Sequence, residues 1–379
     1  MRIPEIQAAL RDAGLDGWLF FDHHGRDPLA YRVLQFEPPR MVTRRWFYLI
    51  PAHGEPRKLV HAIESSMLDA LPGGKQIYSG WAKLNDALRS LLAGQKKVAM
   101  QYSPGAAIFI VSNIDAGTVE QIRALDVEVA SSADLLQQFE ARWTPEQLAG
   151  HLEAGRRVDR VRRAAFAHIK PGLDEFVVKT FILDAFEREG LLTDHGPIVA
   201  VNAHASDPHY EPMAQGSWPI RPGDVVLIDL WAKLKQPGAV YYDVTSTGYW
   251  GPSIPERVQQ VFEVVRDARK AASSFARAGV CGYEVDDVCR GHIRAQGLGD
   301  YFVHRTGHSI GEDVHGVGAN MDNLETHDVR RLIPSTCFSV EPGIYLPEFG
   351  VRSEVNVFIQ ADGTPLVTGE QQEELVRIG

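Results

Sequence analysis

At 379 residues the chain exceeds a single ordinary core, so it is read as two domains. Its 44% apolar and 23% charged residues describe a globular protein, and a formal net charge of −10 argues against nucleic acid as the main partner. Three scattered cysteines without a C-x-x-C pair, no apolar leader and no run approaching about 18 apolar residues exclude a disulfide framework, a Cys-based zinc site and a membrane span. A cytoplasmic setting follows as the expectation.

Ile3, Ile6 and Leu10 fall at helical spacing, and Gly14 can close that helix. The run 17–21 reads as a buried strand feeding a polar loop, DHHGRDPLAYRVLQFEPPR. Segments 45–51 and 58–63 are strands around an HGEP turn, 83–94 is an amphipathic helix, and 96–102 is another strand. Alternating strands and helices predict a small α/β domain over residues 1–138.

The segment DLLQQFEARW reads as helical. Thr144-Pro145-Glu146-Gln147 is a capping box with Pro at the first helical position, so a long charged helix runs on to about Lys170. A second helix covers 174–190, then come PIVAVNAHASDPHYEP, VVLIDLW and YYDVTSTGYW, helices over 256–278 and through VDDVCRGHIRAQG, and the stretch 301–354. Strands with helices grouped between them predict an α+β domain over 139–379, built on one largely antiparallel sheet.

The chemistry is concentrated in that second domain. Asp229 sits in VVLIDLW, Asp243 in YYDVTST, Glu341 in FSVEPG and Glu354 in VRSEVNVF, each a lone carboxylate in an apolar run. A buried carboxylate is costly unless a base or cation compensates it. With His308 and His315, seven residues apart, these positions suit two divalent ions (Mn, Co or Zn). Two such ions about 3.5–4 Å apart can share carboxylates and a hydroxide, the nucleophile required for amide hydrolysis.

These motifs resemble the pita-bread metallopeptidases, in the branch containing prolidase, aminopeptidase P and creatinase. The resemblance covers nearly the whole chain and implies a pita-bread α+β catalytic domain behind a smaller creatinase/prolidase-type α/β domain. It implies Asp229, Asp243, His308, Glu341 and Glu354 as metal ligands, with Glu341 also taking the proton of the bridging water. His209 of DPHY and His315 of EDVHG would face the substrate, while Arg352 and Thr245 would orient the bridging carboxylates. The activity implied is cleavage before proline in Xaa-Pro dipeptides by a homodimer. Release of an N-terminal residue from longer Xaa-Pro peptides is the alternative. Arg26, Arg32 or Arg40 of the N-terminal loop could meet the carboxylate of a short substrate.

The sequence departs from the pattern at several points. The two aspartates are 243 − 229 = 14 apart, Trp231 replaces a common Gly, and Ser246 stands where an Arg is usual. His327 falls where prolidases carry an Arg for the substrate carboxylate, with Arg330 and Arg331 nearby, and Asp194-His195 replaces an aromatic before PIVA. His195, His204 and His327 are otherwise assigned solvated or structural roles. His304-x-x-x-His308 has zincin spacing, but Gly307 interrupts any helix and no Glu follows His304. Gly307–Gly311 also fits G-x-S-x-G, a serine-hydrolase elbow around Ser309, which requires a strand before and a helix after the serine. A pita-bread protein that binds peptides without catalysis is the remaining reading.

Overall fold

The computed structural model describes residues 2–37 and 41–379. Arg40 lies outside the described residues. The chain divides into two compact units, Met1–Glu140 and Ala141–Gly379.

In the first unit, strands β1 (Gly17–Asp22), β2 (Trp46–Pro51), β3 (Arg57–His61), β4 (Gly74–Tyr78), β5 (Lys97–Met100) and β6 (Glu128–Ser131) form one mixed sheet, ordered β4-β3-β2-β1-β5-β6. Every residue of β1 and β2 is buried, which is why these strands read as unbroken apolar runs with no alternation. Helices α1 (Ile3–Asp12), α3 (Trp81–Leu91) and α4 (Ala116–Arg123) accompany the sheet, and Leu84, Leu88, Val119 and Ile122 share a core with Leu19, Phe47 and Val98.

Two segments differ from expectation. The loop after β1 contains a helix, α2 (Pro28–Leu34), because the Asp27 carboxylate accepts the Ala30 N–H and Pro28 opens the first turn. Asp-Pro alone reads as a turn, so this helix is masked in the sequence. Arg32 on it pairs with Glu140 at 3.0 Å, which commits its guanidinium within this unit. The helical reading of DLLQQFEARW holds only for α5 (Ala133–Phe139).

The second unit opens with α6 (Pro145–His168), whose capping box forms as the sequence predicts: Thr144 Oγ1 accepts the Gln147 N–H and Gln147 Oε1 accepts the Thr144 N–H. Helix α7 (Glu175–Arg188) ends at Gly190, at φ 66°, the left-handed conformation that suits Gly. Strands β7 (Leu191–Leu192), β8 (Ile198–Val201), β9 (Val225–Leu234), β10 (Tyr242–Trp250) and β17 (Val376–Ile378) form one sheet, backed by apolar residues of α6 and α7. Strands β11 (Ser309–Ile310), β12 (Cys337–Val340), β15 (Val355–Ile359) and β16 (Pro365–Thr368) form another, and β13 (Gly343–Tyr345) pairs with β14 (Gly350–Arg352). Helices α8 (Glu256–Phe275) and α9 (Gly282–Ala295) bury Val261, Phe262, Val285 and Ile293 in a core with Val340, Val355 and Val357.

The fold is therefore α+β, but the single antiparallel sheet anticipated from the sequence is three. One break, between β12 and β13, falls at Pro342, which lacks an N–H and cannot continue the ladder. Among the described residues no helix is long and apolar enough to cross a membrane, and the three cysteines are buried thiols with no disulfide.

Candidate metal centre

Strands β9 and β10 set the first two carboxylates. Their register opposes Asp229 to Thr245 and Trp231 to Asp243, so all four lie on one face and the aspartates are diagonal neighbours. The other three acidic or imidazole groups lie at strand ends: His308 just before β11, Glu341 just after β12 and Glu354 just before β15. Backbone outside the ladder can bend there to aim a side chain inward.

Particular residues hold these ends in place. Asn356 accepts the Asp243 N–H at 3.0 Å and donates to the Asp243 carbonyl at 2.6 Å, stitching β10 to β15. The Glu354 N–H donates to the Thr245 carbonyl at 3.1 Å. Gly307 lets the His308 segment pass against β12: a Cβ there would lie 1.8 Å from the Ser339 carbonyl oxygen. Upstream, buried Asp286 accepts the Thr306 N–H and hydroxyl, and Arg290 donates to the carbonyls of Phe302 and His304. On the other side, fully buried Glu175 accepts from Val201 N, Tyr210 Oη and Trp218 N, and contacts His204 Nδ1 at 3.0 Å, which fixes the loop carrying His209. The His204 ring also stacks on Tyr210 and Trp218.

The assembled groups are close and mostly buried. Ligand atoms of Asp243, His308 and Glu354 all lie within 4.8 Å of one another. His308 Nε2 is 3.5 Å from Asp243 Oδ2 and 3.4 Å from Glu341 Oε1. His308 Nδ1 contacts the Ser309 carbonyl at 3.1 Å, the contact that places its proton on Nδ1 and leaves Nε2 as a donor atom for a cation. Ser339 accepts the His308 N–H at 3.0 Å and donates to Glu341 Oε1 at 2.9 Å.

Arg352 binds the site together. Its guanidinium donates to Asp229 Oδ2, to Thr245 Oγ1 at 3.1 Å and to Tyr345 Oη at 3.1 Å. Thr245 in turn donates to Glu354 Oε2 at 2.8 Å. Tyr345 and His304, joined at 2.7 Å, extend the network. Their roles were not legible in the sequence, where His304 figures only in a zincin spacing.

Four carboxylates around one buried guanidinium carry −4 + 1 = −3 when ionised. Burial foremost, then the neighbouring carboxylates, pushes Asp243 and Glu354 well above the usual carboxylate range, and Asp229 is raised by the same causes against the opposing pull of Arg352. Asp229 Oδ1 and Glu354 Oε1 are buried oxygens without a hydrogen-bond partner. Hard oxygens with no donor and one imidazole nitrogen form a set that divalent cations satisfy. The residues fit a divalent metal.

Eight of the nine predicted site residues, all but Thr245, line one cavity of about 660 Å³. His209 and His315 stand on its wall, and the His315 ring lies edge-on to His308 at 4.3 Å. His308 foremost, then burial, holds the His315 imidazole below its ordinary pKa. Asp194, His195, Trp231 and Arg305 also line the cavity, and none of these had been assigned to it.

The departures resolve physically. Ser246 sits one residue off the site-facing parity of Thr245 and accepts from Arg162 Nη1 of α6 at 2.8 Å, so the guanidinium absent from the strand arrives from a helix. The indole N–H of Trp231 donates to Asp194 Oδ1 at 2.8 Å, joining two of the exceptions to each other. His327 packs on Tyr283 at 4.4 Å, and Arg330 is buried against Asp328 and the carbonyls of Val317 and Gly318. Neither lines the cavity, and nor does Arg331. Ser309 is no elbow: β11 is followed by bends in place of a helix, and its Oγ is buried and accepts the Gly318 N–H at 3.0 Å.

A cavity floored by this carboxylate–imidazole set and backed by two sheets is that of a pita-bread metallopeptidase. The chain belongs to metallopeptidase family M24, whose model matches residues 149–361. It is similar to a probable dipeptidase PepE of Mycobacterium bovis, 31% identical over 258 residues. That match takes in 67% of this chain and 65% of the relative, just under two thirds of its length. An Xaa-Pro dipeptidase of Lactobacillus helveticus is 30% identical over 239 residues, 62% of this chain and 61% of that one. Among solved structures, dipeptidase PepE of Mycobacterium ulcerans superposes with a TM-score of 0.75 at 26% identity, over 100% of this chain and 97% of that one.

Proposed function

We propose that this chain is a metal-dependent peptidase that hydrolyses the bond preceding proline in Xaa-Pro dipeptides, with Asp229, Asp243, His308, Glu341 and Glu354 holding two divalent ions. The observation that carries the reading is the pair of buried, unpartnered oxygens, Asp229 Oδ1 and Glu354 Oε1, beside the Asp243–His308–Glu354 cluster. Bound divalent ions supply Lewis acidity and an acidified water.

The chain's own groups do the rest. Glu341, oriented by Ser339, takes the proton of the attacking water. His315 and His209 face the substrate carbonyl, His315 held neutral and able to donate from a ring nitrogen to the developing oxyanion. Arg352 and Thr245 keep Asp229 and Glu354 in place. Arg305, whose guanidinium has only Glu325 at 3.9 Å among the described residues, is the lining cation placed to meet a substrate carboxylate. That favours a dipeptide over a longer chain and adds a candidate to the N-terminal arginines considered from the sequence.

The N-terminal unit is assigned to substrate access and homodimer formation, supported by its exposed Met41, Ile63 and Trp81. Three unpaired thiols suit the reducing cytoplasm. The test strips the purified protein with chelator, reloads it with Mn, Co or Zn, and assays an Xaa-Pro dipeptide beside an Xaa-Pro tripeptide. Metal-dependent cleavage with the dipeptide preferred supports the reading; tripeptide preference transfers it to the aminopeptidase; no cleavage with any metal refutes it.

A further inference from the structure

The cavity holds more carboxylate than the metal set uses. Asp194, Asp207, Glu211 and Glu325 also line it. Glu211 is answered by Lys179 at 3.1 Å and Glu325 by Arg305 at 3.9 Å. Asp207 Oδ1 accepts the His209 N–H of its own loop. Asp194 differs in being fixed by an aromatic side chain from the neighbouring strand, without a lysine or arginine. Its Oδ1 accepts the Trp231 indole N–H at 2.8 Å and the His195 N–H at 3.0 Å, and its Oδ2 lies 3.3 Å from His195 Nδ1. Burial raises its pKa, but the Trp231 bond, followed by those from its own segment, outweighs this and keeps the carboxyl below its ordinary range.

Its position is set by the sheet. Trp231 opposes Asp243 in the β9–β10 ladder, so the indole stands beside the metal cluster and reaches across to Asp194. Trp231 is itself packed against two buried clusters, one containing Ile198 and Leu227 and the other Val240 and Tyr241, which restricts its rotamer. The result is an ionised carboxylate and a fixed aromatic ring on one wall of a cavity whose other free oxygens are acidic. A carboxylate beside an indole is a combination that attracts an ammonium or guanidinium group, through charge and the ring quadrupole together.

We propose that the Asp194–Trp231 pair is a specificity determinant that selects a cationic side chain, Lys or Arg, on the residue before the scissile bond. The inference rests on the Xaa-Pro reading: proline has no charged side chain, so Xaa is the variable group that this wall can read.

The experiment compares kcat/KM for Lys-Pro and Arg-Pro with norleucine-Pro and Glu-Pro, using metal-loaded wild type, Asp194→Asn and Trp231→Phe. Norleucine matches the lysine stem without its charge. A partly exposed charged contact predicts a roughly tenfold preference for Lys-Pro over norleucine-Pro in the wild type, carried mainly in KM, and a larger preference over Glu-Pro. In Asp194→Asn the Lys/norleucine ratio falls to near one. Trp231→Phe keeps a ring but releases the carboxylate, so the ratio falls part of the way. Equal rates for Lys-Pro and norleucine-Pro in the wild type overturn the proposal and leave the peptidase reading standing. A uniform loss on all substrates in Asp194→Asn also overturns it, because the carboxylate would then serve the α-ammonium common to them all. If no Xaa-Pro dipeptide is cleaved, calorimetric titration of the protein with the same four dipeptides decides: tighter binding of Lys-Pro that vanishes in Asp194→Asn upholds the pair, and its absence overturns it.

Discussion

Replacing Arg352 with Met tests whether the metal and this guanidinium share one task. Arg352 is 4% exposed and donates to Asp229, Thr245 and Tyr345. Met retains much of the side-chain volume but leaves Asp229 beside buried Asp243 and Glu354 and partly exposed Glu341 without a positive neighbour. Removing one partner of a buried ion pair costs about 3–5 kcal/mol. For a unit of this size each kcal/mol moves the melting temperature by about 2–4 °C, so the chelated variant should melt about 6–20 °C below the chelated wild type. Bound divalent ions compensate the same carboxylates, so the deficit should shrink to a few degrees in the metal-loaded pair. Calorimetric melts of both proteins, with chelator and with Mn, measure all four values. Equal deficits in the two states would show that Arg352 stabilises by packing and that no cation sits among these carboxylates.

Other outcomes follow from the same geometry. Thr245→Val removes the 2.8 Å bond to Glu354 and the 3.1 Å bond from Arg352, and should weaken metal binding about 10- to 100-fold in a competition titration with a chromophoric chelator. Gly307→Ala drives a Cβ into the Ser339 carbonyl; since backbone must move, His308 is displaced, and metal content by elemental analysis should fall with activity. His315→Ala should keep its metal while turnover drops about a hundredfold or more; unchanged turnover removes His315 from the mechanism. His151, wholly buried between the Tyr241 carbonyl and Thr368 Oγ1, has its pKa drawn down from 6.5 to about 4 by burial. At 1.36 kcal/mol per pH unit that is worth about 3 kcal/mol. The unfolded chain binds this proton first, so the contribution is intact above pH 6.5 and is lost as pH falls towards 4. Urea unfolding across that window should slope less in His151→Gln than in the wild type.

Much of this was legible in the chain because the motifs carry local chemistry. Asp229 and Asp243 stand out as lone acids in apolar strands, and the Thr144 capping box announces α6 by hydrogen bonds that its own neighbours make. Helix α2 was hidden because Asp-Pro serves equally as a turn and as a cap with its first helical residue. The separation of β13 from β12 depends on where a ladder stops, which Pro342 decides only once its neighbours are placed. Arg305 and the Asp194–Trp231 bond could not be read because they join the site through packing between residues of unremarkable sequence. The substitution at Ser246 looked like a lost arginine until strand parity turned it towards Arg162.

The order in which the site's parts lie along the chain has a consequence during synthesis. The β9–β10 hairpin delivers Asp229 and Asp243 first, whereas Arg352 and Glu354 come on one short segment 354 − 243 = 111 residues after Asp243. A nascent chain can thus form the hairpin while its two acids still face water and bind cations only weakly. The guanidinium that restrains Asp229 and the last carboxylate emerge together, so the ribosome releases neutralising charge and final ligand within three residues. Completion of the ligand set is thereby deferred until most of the strands that enclose it have been made.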